Sequence, residues 1–287
     1  MGSVWITLYL NGLLIGGVVC LFLLAYRYCF RGAEYREGKV LPWRVRWLDF
    51  GFLLWLLFFS VVLSRLVADS LAMYRPAVRN ESGIWDDIVA GFAMHAMMFA
   101  IFAYFLSRKD SRITDPINAA ESTVNKALAT GIFTLFAAVP AIAAVGIGWQ
   151  YCVFLLKSWG LDLPNDPQPL VEVLSNDLTA VERSLLVLMA VVTAPIVEEL
   201  IFRGCIYRFL KARYGAIFAM FCSSLVFGLI HFNISSLPSL IVLGIFLCIS
   251  YERAGNIMAP IFFHALFNMN SVILIFALDD IMLDNPW

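Results

Sequence analysis

Three short stretches in the second half of the chain combine residue types that can do acid–base or metal chemistry. They are Glu198-Glu199-Leu200-Ile201-Phe202-Arg203, Phe227-Gly228-Leu229-Ile230-His231 and His264-Ala265-Leu266-Phe267-Asn268. On a helix, residues four apart share a face and neighbours diverge by about 100°. Glu199 and Arg203 are thus expected to pair along their own helix, while Glu198 points elsewhere. His264 and Asn268 share a face, and Phe227 sets an apolar ring beside His231. A carboxylate and two imidazoles then fit two chemistries. In one, Glu198 and His231 polarise a water as general base, and His264 and Asn268 hydrogen-bond the developing oxyanion. In the other, Glu198, His231 and His264 ligate a metal ion, Zn2+ by residue type, whose bound water attacks. Each motif alone has an ordinary reading as packing or interfacial residues. Three of them on successive apolar helices do not.

The elements that must position them are set by composition. Of 287 residues, 61% are hydrophobic and only 14% charged, against roughly 25% charged in soluble domains. Mean hydropathy is +0.83. A water-facing surface, a disordered chain and a secreted disulfide scaffold are excluded. The net charge of −1 gives no reason to expect nucleic acid. The fold expected is all-α, a polytopic transmembrane bundle of about eight spans. These are Val4–Tyr26, Phe50–Leu66, Ile88–Leu106, Leu128–Leu156, Leu185–Phe202, Ala216–His231, Ser239–Tyr251 and Ile257–Leu278. Val4–Tyr26 has no basic flank ahead of it and no small-x-small site after it, so it reads as a span, not a cleaved signal. With both termini outside, most Lys and Arg fall on the inner side, including Arg203, Arg208, Lys211, Arg213 and Arg253.

Asp115-Pro116 reads as the start of an inner amphipathic helix, with Asp115 as N-cap. His95, in Met94-His95-Ala96-Met97-Met98, reads as a packing residue, since Met97 and Met98 diverge on a helix. Asp86 and Asp87 suit the positive end of the third helix. The six cysteines are scattered through apolar runs and form no CxxC. No internal repeat is visible, which weighs against a repeat-built transporter. On straight spans one problem remains. Glu198 and His264 would lie about 12–14 Å from the inner surface and His231 about 10 Å further out.

In order and spacing, EExxxR, FxxxH and HxxxN resemble the CPBP (Abi) family of intramembrane proteases, which includes the type II CAAX prenyl endopeptidases. The resemblance covers roughly Arg183–Leu278. It implies that Glu198 activates water, that Glu199 and Arg203 complete the double-glutamate motif, that His231 acts with the glutamate, and that His264 and Asn268 stabilise the oxyanion. Glutamate-dependent and metal-dependent mechanisms are both compatible with it. It implies a membrane-anchored or lipidated protein or peptide substrate, of CAAX or C-terminal-signal type, handled in the lipid bilayer. The chain is expected to divide into a variable membrane half over 1–157, a polar outer loop over 158–182, a catalytic helical module over 183–279 and a short tail over 280–287. The expected function is an intramembrane endopeptidase in an integral multi-pass membrane protein, of the cell membrane in a prokaryote. A non-catalytic immunity or partner protein and a proton-coupled transporter are the competing readings.

Overall fold

A computed structural model describes residues 2–30, 38–73, 83–107, 118–119, 122–161, 173–174 and 178–284. Among these residues the chain forms eight long helices and no strand. They are α1 (Gly2–Phe30), α2 (Trp47–Ala72), α3 (Ile84–Ser107), α4 (Val124–Ser158), α5 (Ala180–Tyr214), α6 (Ala216–Leu229), α7 (Leu237–Ala254) and α8 (Met258–Asp284). Seven are long and apolar enough to cross a membrane. α6, at 14 residues, is apolar but shorter. The protein is an integral, multi-pass membrane protein. Its outer surface agrees: Phe22, Phe58, Phe154 and Ile217 are all well exposed, which water would penalise and lipid tails do not.

The element starts follow local chemistry. α5 opens on a capping box: Thr179 Oγ accepts from the Glu182 backbone N–H, and the Glu182 carboxylate accepts from the Thr179 N–H. The spacing Thr-x-x-Glu carries that signal. Thr123 caps α4, and Asp86 and Asp87 occupy the first turn of α3 as expected. Pro140 lies inside α4 without ending it. The inner amphipathic helix fares differently. Asp115 and Pro116 lie outside the described residues, and 118–119 and 122–123 are not helical. There Asn118 accepts from the Ile257 N–H and Ser122 donates to the Ala254 carbonyl.

α5 is the axis of the bundle. One side meets a core with Phe202, Phe227, Leu243, Leu247 and Phe263. The other meets Trp43, Phe50 and Leu53 through Val197, Cys205 and Phe209. The sequence ends this span at Phe202 and assigns Arg203, Arg208, Lys211 and Arg213 to an inner loop. The helix instead runs on to Tyr214, with Arg203 and Arg208 fully buried. Arg208, Lys211 and Arg213 bind the backbone of the connector between α1 and α2. Arg208 Nε donates to the Leu41 carbonyl and Lys211 Nζ to that of Val40, both at 2.8 Å, and Arg213 donates to that of Val45. Charge that looked topological satisfies the polar groups of a buried extended strap.

α4 and α8 cross through small residues, Ala127 and Ala259, both with no exposure. At Gly131 a Cβ would come 2.6 Å from the Ala259 carbonyl oxygen, a backbone atom that cannot swing away. Close approach of this kind is how membrane helices gain packing. Gly131→Ala is predicted to destabilise the bundle by about 1–3 kcal/mol despite alanine's better helix propensity. Thermal unfolding in detergent checks this, and an unchanged or raised midpoint would contradict the crossing.

Candidate active site

α5 is not a plain α-helix around the two glutamates. Wider π-helical turns, Met189–Thr193 and Leu200–Tyr207, flank the α-helical stretch Ala194–Glu199. The first has a clear local cause. The Ala194 N–H bonds the Met189 carbonyl rather than that of Ala190. The next residue in line for Ala190 is Pro195, which has no N–H to give. Asn268 Nδ2, on α8, donates to the Ala190 carbonyl at 2.8 Å. On the other side, His95 Nδ1 lies 2.8 Å from Thr193 Oγ1, so His95 is a packing residue against the same turn, as its sequence context indicates.

Glu199 and Arg203 pair as the i,i+4 spacing predicts, at 2.8 Å and with neither side chain exposed. A second Arg203 nitrogen donates to the Gly244 carbonyl on α7 at 3.1 Å. The guanidinium also lies 4.7 Å from the centroid of the Phe227 ring, within cation–π range. His264 Nδ1 sits 2.8 Å from the Glu199 oxygen that Arg203 holds. Glu199, Arg203 and His264 thus form one buried triad spanning α5 and α8, tied to α7.

Glu198 points away from the Glu199–Arg203 pair, as expected for its neighbour position, and toward the other edge of His264. It lines a cavity of about 700 Å3 together with His231, His264 and Asn268. Its Oε2 is 3.8 Å from His264 Nε2. That oxygen is buried and makes no hydrogen bond to any described residue. Phe227 organises the imidazoles: its ring centroid is 4.8 Å from that of His231 and 5.8 Å from that of His264. His231 itself lies in a turn just past the end of α6, with Nδ1 2.7 Å from the Phe227 carbonyl. A carbonyl and an ionised carboxylate only accept. Both Nδ1 atoms are therefore donors, which leaves Nε2 as the ring nitrogen directed to other partners.

The true length of α5 removes the depth mismatch between Glu198 and His231. Counting from Tyr214, Glu198 is about 24 Å along α5, and counting from Ala216, His231 is about 22 Å along α6. The six expected site residues fall in two linked groups, Glu199–Arg203–His264 and the cavity set. Among the described residues no group of three or more His, Cys, Asp and Glu is gathered closely enough to hold an ion, while Glu198, His231 and His264 share one cavity.

Three serines that line the cavity, Ser236, Ser239 and Ser271, are absent from the sequence expectation. Ser271 is seven residues after His264 and three after Asn268, so helical spacing carries its signal. Ser239 has no comparable signal. Pro195 stands in plain view, but its effect on the Ala190 carbonyl needs the three-dimensional turn.

Residues 180–270 match the family model described as Rce1-like, type II CAAX prenyl endopeptidase. That stretch runs from the start of α5 into α8 and holds all six of the site residues expected from the sequence. A curated relative named "Putative membrane peptidase YdiL", from Bacillus subtilis (strain 168), is 32% identical over 90 residues. The match covers 31% of this chain and 37% of that protein, so the chain spans little more than a third of the relative's length. No solved structure matches.

The energetics of the triad give a direct test. Removing one partner of a buried ion pair strands the other and costs about 3–5 kcal/mol. Arg203→Ala is predicted to lower the thermal midpoint by roughly 10 °C and to cut the folded yield. A variant that folds in normal amounts with an unshifted midpoint would remove Arg203 from its structural role.

Proposed function

We propose that this protein is an intramembrane endopeptidase that cleaves a peptide bond near the membrane-associated C-terminal region of a hydrophobic or lipidated substrate, using water activated by Glu198. The observation that carries the reading is the Glu198 Oε2 atom. It is buried, lacks a hydrogen-bond partner among the described residues and faces a cavity shared with two imidazoles and an amide. A carboxylate held in this way is costly unless a water or substrate group uses it. The peptidase naming of the relative and the Rce1-like match of this stretch support the same reaction class.

The roles follow from hydrogen-bond direction. Glu198 takes a proton from water, and the oxygen attacks the scissile carbonyl carbon. His231, with Nδ1–H fixed on Phe227, offers Nε2 to orient that water. His264 holds Nδ1–H on Glu199, so it donates from Nε2 only once that atom gains a proton. Glu198 Oε2, 3.8 Å away, supplies it when the two close, a contraction common on substrate binding. The imidazolium then hydrogen-bonds the oxyanion and finally protonates the leaving amine as the C–N bond breaks. Asn268 spends one N–H on Ala190 and keeps the other for the oxyanion. Apolar walls such as Leu240 and Leu274 keep the site dry, which strengthens each of these interactions.

Glu198→Ala and His231→Ala are each expected to lower kcat/KM by about 10²–10⁴ on a lipidated C-terminal reporter peptide. Both should accumulate in the membrane at parental levels. Full cleavage by either would remove the assignment, and absence of cleavage by the parent across such reporters would favour a non-catalytic partner protein. Purified active protein is further expected to retain activity after chelation, with metal far below one equivalent. Stoichiometric metal, with activity lost on stripping and restored on refilling, would replace this mechanism with a metal-dependent one.

A further inference from the structure

A second polar site lies about 20 Å along α7 from Leu240, which lines the catalytic cavity. There, at the C-terminal end of α7, Arg27 of α1, Lys39 of the α1–α2 strap, Lys126 of α4 and Arg253 of α7 converge. They line two adjoining cavities of about 590 and 340 Å3 that share Ala129, Thr130 and Arg253. No carboxylate is among the described residues lining either one. Arg27 lies 5.5 Å from the Phe133 ring and Arg253 5.8 Å from the Tyr28 ring, contacts that hold the guanidiniums in place.

A third cavity of about 450 Å3 shares Arg253 and runs along α1, α6 and α7. Its walls are apolar, including Leu21, Ala25, Met220 and Ile249. The one carboxylate on it, Glu252, is already occupied: Lys211 Nζ at 2.5 Å, the Tyr207 hydroxyl and the Val40 N–H all donate to it. A cationic pocket thus joins an apolar groove of chain-like shape. The excess of Lys and Arg at this end places it on the cytoplasmic side, where the leaflet carries anionic lipids.

We propose that this is a binding site for one anionic phosphoglycerolipid of the inner leaflet. Its phosphate lies among Lys39, Lys126 and Arg253, and one acyl chain fills the groove beside α1. The lipid completes the packing of α1, which rests chiefly on α4, against α6 and α7. Basic pockets between helices at a cytoplasmic surface recognise phosphorylated headgroups in this way.

Native mass spectrometry of the full chain in detergent tests the proposal, with phosphatidylglycerol and phosphatidylcholine titrated in parallel. Phosphatidylglycerol should bind one-to-one and at least about tenfold tighter than phosphatidylcholine. Lys39→Gln and Lys126→Gln, both at exposed positions, should each weaken it about fivefold and leave phosphatidylcholine unchanged. Ala25→Trp, which keeps all four cations and plugs the groove from an exposed position, should also weaken it. Equal binding of the two lipids, or no effect of the lysine variants, would overturn the charge recognition. No effect of Ala25→Trp, or glycerol phosphate binding as tightly as the lipid, would assign the pocket to a soluble anion and overturn the lipid. All readouts are binding, so they stand whether or not Glu198 is catalytic.

Discussion

The structure depends on one buried ion pair. Glu199 and Arg203 meet at 2.8 Å with no solvent on either, in a region where each alone would be prohibitive. Partners on three neighbouring helices hold the pair, although one Glu199 oxygen and Arg203 Nε are buried without a described hydrogen-bond partner. Arg203 reaches the Gly244 carbonyl and lies over Phe227, and Glu199 accepts from His264. One charge pair therefore fixes the relative placement of α5, α6, α7 and α8. Gly244 allows this closeness: a Cβ there would meet the Ser224 Cβ at 2.8 Å. The cavity exists where it does because these four helices cannot shift without stranding a charge.

The same pair divides labour between neighbouring glutamates. Glu199 is spent on architecture, and its fixed carboxylate sets which nitrogen of His264 faces the cavity. Glu198, about 100° around the helix, is left with a buried oxygen that no described residue satisfies. The π-helical turns on either side sharpen this. Around Pro195, the Ala190 carbonyl loses its usual donors within the helix, and Asn268 is drawn across from α8 to replace them. Departures from α-helical geometry of this kind concentrate at functional sites. Here the departure has a covalent origin in proline and a visible use in seating an amide at the cavity wall.

Much of this was legible in the sequence. Periodicity located all eight helices, because lipid contact demands long apolar runs. The i,i+4 rule gave the Glu199–Arg203 pair and the Phe227–His231 adjacency. What failed was the reading of charge. Arg203, Arg208, Lys211 and Arg213 look like a loop because four cations in eleven residues rarely stay helical in a membrane protein's interior. They do so here because Arg203 has Glu199 one turn away and the α1–α2 strap lays its carbonyls against the other three, a partner some 170 residues away that no local pattern announces. That error shortened α5 and produced the apparent mismatch in depth between Glu198 and His231. The triad role of His264 was likewise hidden, since spacing shows which residues share a face and not which nitrogen meets which carboxylate.

The two ends of α7 then acquire distinct meanings. Toward Leu237 the chain surrounds the Glu198 carboxylate, one oxygen of which no described residue satisfies, with imidazoles and apolar walls, a setting in which a small charge acts strongly on a reacting bond. Toward Ala254 it gathers cations with no described carboxylate among them, a setting that attracts anions from outside the protein. The Glu252 cluster separates these two uses. By satisfying its own carboxylate with Lys211, Tyr207 and the strap, it keeps the inner end from neutralising itself. A chain with only 14% charged residues can give its two ends opposite local character because the charges between them, such as Glu252 and Lys211, are paired with one another.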